Sequence, residues 1–166
     1  MTDIEPTRIA TALLNKEGSL LDDHRWDEWL ALYHSEAVYW VPAWRDEAYE
    51  TTDPNSEISQ IYHAQRNGLE ERVARIRSGK SVTTMPLPRT THFTTNVVAT
   101  HEAHNEIEAR ASWMVQVYQP RTTKQYVNFG HYEIKLRQTN NAWLITQKIT
   151  HLKNDLVPAL IDFYTL

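Results

Sequence analysis

Apolar positions along the chain recur first at helical and then at strand spacing. Ile9, Leu13 and Leu14 follow the period of an amphipathic helix, Gly18 interrupts it, and Trp26, Trp29, Leu30 and Tyr33 resume it, so two short helices are predicted. Ala37 to Val41, AVYWV, is a β-branched and aromatic run stopped by Pro42 and reads as a strand buried on both faces. Residues 42–55 carry turn formers and charges without a period and read as a surface loop. Asp53 is then a candidate N-cap, with Pro54 at the first helical position and Glu57 in the first turn. This predicts one long helix with Ile58, Tyr62, Leu69, Val73 and Ile76 on a single stripe and Gly79 at its end.

From Thr91 the period changes to two. Strands are predicted over 91–100, 107–118, 125–138 and 142–151, with breaks at His104-Asn105, Pro120-Arg121 and Asn140-Asn141, and such short connections make an antiparallel meander. The order helix, helix, strand, helix, four strands predicts an α+β cone, a curved, mostly antiparallel sheet wrapped around the N-terminal helices and the one long helix. With 166 residues and no repeat or linker, residues 1–166 are expected to form one domain.

Composition removes several functions. The formal charge of −4 supplies no basic field for a phosphate backbone, and no Lys/Arg block interleaves with aromatics, so nucleic acid is not an expected partner. The absence of Cys excludes disulfides, a thiolate nucleophile and any iron–sulfur or Cys-containing zinc site in this chain. The N-terminal segment lacks the basic start and long apolar core of an export signal, and no window reaches the ~18 apolar residues of a membrane span. No membrane association and a cytoplasmic location are expected. Six Trp and eight Tyr, in contrast, supply large amphipathic surfaces for packing and interfaces.

Candidate chemistry is sparse. Arg66, Glu70, Glu71, Arg72, Arg75 and Arg77 alternate in sign and read as a solvated helix face, with Glu71 to Arg75 at ion-pair spacing. Gly68 within that pattern points to close packing or a kink. His101-Glu102-Ala103-His104 does not have the spacing of a helical zinc motif, and although eight His could furnish two His and a carboxylate, spacing selects no three of them. Asp22-Asp23-His24 reads as capping before Trp26, or as a general base with Tyr33 or Tyr39 as acid. His92, in PRTTHFTTNV, shares strand parity with Thr94 and Asn96 on a polar face; it either hydrogen-bonds across the sheet or lines a pocket, and periodicity does not choose.

Taken together, DEWLALYHSEAVYWVPAWRDE, DPNSEISQIYHAQRNGLEERVARIRSGKS, PRTTHFTTNV and WLITQKITHLKNDLVPALIDFYTL resemble the small (beta) subunit of bacterial aromatic-ring-hydroxylating dioxygenases, and most of all the benzoate and anthranilate branch. The resemblance covers nearly the whole chain. It implies an NTF2-like cone and a non-catalytic structural subunit, in a complex that hydroxylates a benzoate- or anthranilate-like acid with O2 and NADH. It also implies a large (alpha) subunit that holds a Rieske 2Fe-2S cluster and mononuclear Fe(II), a reductase that delivers electrons, and assembly as a trimer of heterodimers. On this reading the chain contributes no catalytic, cofactor-binding or metal-ligating residue. Trp40, Trp44, Arg45, His92, Tyr164 and Leu166 are its interface candidates, within an aromatic surface and the Phe163-Tyr164-Thr165-Leu166 end. The alternative is a free-standing isomerase or dehydratase using His92, Asp23 and a Tyr in the cone, or a small-molecule binding protein; either requires an open pocket.

Overall fold

The first helix, α1 (Ile4–Asp22), buries Ala10, Leu13, Leu14, Glu17, Leu20 and Leu21, one stripe at three-to-four-residue spacing. The computed structural model describes residues 4–80 and 85–166; Met1 to Asp3 of the N-terminal segment and Ser81 to Thr84 after the charged stretch lie outside the described residues. Gly18 does not interrupt α1 as its residue type predicts. It lies where a strand crosses the helix, and a Cβ there would come within 3.0 Å of the His92 Cβ, so its role is close approach. The second helix, α2 (Trp26–Leu30), is a single turn whose Trp26 and Trp29 are buried.

Strand β1 (Tyr33–Pro42) includes the AVYWV run, with Ala37, Tyr39, Trp40 and Val41 buried. The long helix expected from Asp53 is not formed. Its first half is a strand, β2 (Ser59–His63), antiparallel to β1, and only Asn67–Arg77 is helical, as α3. The unpaired edge of β1 accounts for this, because its backbone groups need a partner and SQIYH supplies one, turning Ile61 inward while Ile58 stays exposed. Asp53 and Glu57 still make cap-like bonds, now closing a turn: Asp53 accepts from the Asn55 N–H and Ser56 Oγ, and Glu57 accepts from the Thr52 and Asp53 N–H groups. In α3, Leu69 and Val73 remain on the inward stripe, and Gly79, with φ of 61°, follows its end as predicted. Arg66 pairs with Glu70 at 2.9 Å, one turn earlier than the expected Glu71–Arg75 pair.

The remaining strands are β3 (Arg89–Ala103), β4 (Glu106–Gln119), β5 (Lys124–Thr139) and β6 (Ala142–Leu152), an antiparallel meander as predicted. Asn140 and Asn141 both take positive φ, the requirement of a two-residue hairpin turn. The sheet order is β2-β1-β6-β5-β4-β3, with β1 and β6 parallel. Register shifts near Asn96 in β3 and between Lys135 and Leu136 opposite β6 bend the sheet around α1. The result is an NTF2-like α+β cone. Its inner face is built from alternate residues, Ile107 through Val117 on β4 and Tyr132, Ile134 and Leu136 on β5.

Candidate functional site

The interior of the cone, where the free-standing enzyme reading requires a pocket, is filled. Trp29 stacks on Phe163 at 4.4 Å and meets Tyr33 edge-on, while Trp113 stacks on Tyr132. Phe163 belongs to a 3₁₀ turn (Phe163–Thr165) near the C-terminal end, held by the Asp162 cap, an Asp162–Arg72 ion pair and a hydrogen bond from Asn128 Nδ2 to the Thr165 carbonyl. Among this packing lies a buried ion pair: Lys148 Nζ donates to Glu17 at 2.8 Å and sits 4.0 Å over the Tyr132 ring. Glu17 also accepts from Tyr33 Oη and Trp29 Nε1. Burial opposes ionisation of Glu17, but the Lys148 charge and these hydrogen bonds together hold its carboxyl below the usual range. Burial likewise pushes the Tyr33, Tyr39 and Tyr132 hydroxyls far up, so these three phenols stay protonated.

His92 is fastened to the end of α1. Its Nδ1 lies 2.5 Å from Asp22 Oδ1, its backbone N–H donates to Asp22 Oδ2 at 3.0 Å, and Thr90 Oγ1 donates to the same carboxylate at 2.8 Å. Burial raises the Asp22 carboxyl, yet these bonds outweigh it and leave it depressed. Asp22 therefore caps no second helix; it terminates α1 and clasps β3, and Asp23 stays exposed. His92 Nδ1 is thus engaged by Asp22 rather than by Asp23 or a Tyr.

The other interface candidates divide by exposure. Trp40 is buried and donates to Ser59 Oγ; Tyr164 and Leu166 are buried under the sheet end. Trp44 is half-buried, donating to the Leu152 carbonyl, and Arg45 is exposed beside Asp46 and over the Tyr49 ring. The outer face of the sheet carries two features that sequence spacing does not reveal. Phe93, Met114 and Phe129 are register partners across β3, β4 and β5, and all three are exposed. Farther along, His131 and His151 face one another across β5 and β6 with parallel rings 4.2 Å apart, beside Glu133 and Glu50. Burial, the neighbouring His151 and the Arg110 and Lys153 charges lower His131 to about 4.

A family model for the ring hydroxylating beta subunit matches residues 16–159. The chain belongs to that family. This beta subunit is 39% identical to the 2-halobenzoate 1,2-dioxygenase small subunit of Burkholderia cepacia over 99% of both chains. It is 36% identical to the anthranilate 1,2-dioxygenase small subunit of Acinetobacter baylyi, over 91% of each chain. The crystal structure of the benzoate 1,2-dioxygenase beta subunit of Burkholderia mallei superimposes with a TM-score of 0.80, at 33% identity, over 100% of this chain and 99% of that one. The chain is thus a component of an oxidoreductase complex, partnered by a large subunit. Its residues do not fit a Rieske cluster, which takes two Cys and two His, since the sequence has no Cys. No helix among the described residues is long and apolar enough to cross a membrane.

Proposed function

We propose that this beta subunit holds together a cytoplasmic oxygenase acting on an aromatic carboxylic acid of the benzoate or anthranilate type, with residues 1–166 working as one unit. The observation that carries the reading is the filled cone: in this chain the space that would house substrate is occupied by Trp29, Phe163 and the Glu17–Lys148 pair. The acid substrate is supported by the relatives, whose names specify halobenzoate and anthranilate. The Rieske cluster and mononuclear Fe(II) then reside in the large subunit, reduced by NADH through a reductase, and the assembly is a trimer of heterodimers. The Phe93–Met114–Phe129 row is the proposed seat of the large subunit, since an exposed apolar row across three strands is a surface that soluble proteins keep for a partner. Trp44 and Arg45 extend the accessible aromatic and cationic surface.

Coexpression with the large subunit tests this directly. Met114→Glu and Phe129→Glu are expected to reduce co-purification of the large subunit and benzoate or 2-aminobenzoate turnover together, while the beta subunit alone keeps its unfolding midpoint. Full oligomerisation and normal turnover by the large subunit alone would remove the assembly role.

A further inference from the structure

The polar cluster on the outer face plays no part in the fold described above, and two of its buried atoms have no partner. His131 and His151 are directly opposed across β5 and β6, and Glu133 follows His131 by two residues, so the pleat places all three on one face. Glu133 Oε1 lies 3.8 Å from His131 Nε2 and 3.7 Å from His151 Nε2. The candidate ligand atoms all fall within 4.8 Å of one another. Glu50, from the loop between β1 and β2, reaches His151 Nδ1 at 2.6 Å. A carboxylate accepts only, so Nδ1 donates to Glu50 and Nε2 is the ring atom left facing Glu133. That Nε2 is buried without a hydrogen-bond partner among the described residues, as is Glu50 Oε1.

We propose that His131, His151 and Glu133 bind a divalent transition ion of the zinc type, with Glu50 as the outer carboxylate that fixes the His151 ring. Two imidazole nitrogens and one carboxylate oxygen are a donor set that such ions favour, and a carboxylate behind a ligating imidazole is its usual support. Glu50 and Glu133 together balance a 2+ charge. Bonds of about 2.0–2.1 Å in tetrahedral array need ligand atoms roughly 3.3 Å apart, so closing the site asks the rings to fan out of their parallel stack and the carboxylate to move by about 0.4 Å. A groove of about 370 Å³, lined by Glu50, Glu133 and His151 together with Trp44 and Lys153, gives entry and room for a water as fourth ligand. The ion joins β5, β6 and the loop that bears Trp44, and it has no redox role.

The full-length beta subunit, stripped with chelator, is the material for the test, with Zn2+ followed by calorimetry and Co2+ by its visible absorption. One equivalent is expected per chain, with perturbation of the His131 and His151 ring resonances and a raised unfolding midpoint. His151→Gln and His131→Gln should abolish the one-equivalent step, and Glu50→Gln should weaken it by about tenfold to a hundredfold. Lack of a saturable one-equivalent step in the wild-type chain overturns the proposal. So does perturbation of the His101 and His104 resonances instead, a wild-type readout that stands even if a variant fails to fold.

Discussion

At the scale of single residues, the Glu17–Lys148 pair is the most consequential contact in the cone. Both side chains are almost fully buried, so each is tolerable only because of the other. Glu17→Ala leaves the ammonium unpaired and should cost about 3–5 kcal/mol in urea unfolding, whereas the double replacement Glu17→Met with Lys148→Met should recover most of it. The pH dependence follows from the same residue. The folded carboxyl of Glu17 lies below its ordinary value near 4.5, and that of Asp22 below 3.8, so in this window the unfolded chain binds more protons. Their stabilisation is complete above about pH 5 and is lost as pH falls through the folded values. Thermal unfolding between pH 7 and pH 3 should show this loss, and the double methionine variant should show a shallower one. Neither partner was legible in the sequence, because Glu17 looks like an ordinary polar helix position and Lys148 like an ordinary strand position until a fold brings them together. His92 was half legible: its polar strand face was visible, but not that this face turns inward to meet Asp22 while Phe93 turns out.

At the scale of elements, the meander was readable because its turns carry their own chemistry, Asn140-Asn141 above all. The stretch 53–78 was not, because its helical stripe is genuine in α3 and accidental in β2. Ile58 fits the stripe by spacing and is exposed, and only the open edge of β1 decides that SQIYH is a strand. Gly130 shows a second constraint hidden from pattern. Its φ is not positive, yet a Cβ would lie 1.8 Å from the His151 carbonyl oxygen, a backbone atom that cannot swing aside. Gly130→Ala should therefore force β5 and β6 apart and cost about 1–3 kcal/mol or more in chemical denaturation, with the loss seen as faster amide exchange at Leu152 and Lys153.

At the scale of the whole molecule, the fold class was legible from element order, and the cone's use was not. An open cone and a filled one share the same succession of helices and strands; what separates them is where Trp29, Phe163 and Lys148 point. The outer face escaped for a related reason. His131 and Glu133 are two apart on one strand and advertise a shared face, but His151 joins them only through register. In β6 that register shifts at Thr146, which lies between the partners of Leu136 and Lys135 and donates its hydroxyl to the Lys135 carbonyl. Up to Ile145 odd positions face the core, and from Lys148 even ones do, so one additional residue reverses the phase of the strand. Thr146 thus works like a spacer between two gears: the hairpin end and the far end of β6 keep their own timing, and each side of the sheet is free to diverge without putting the other out of step.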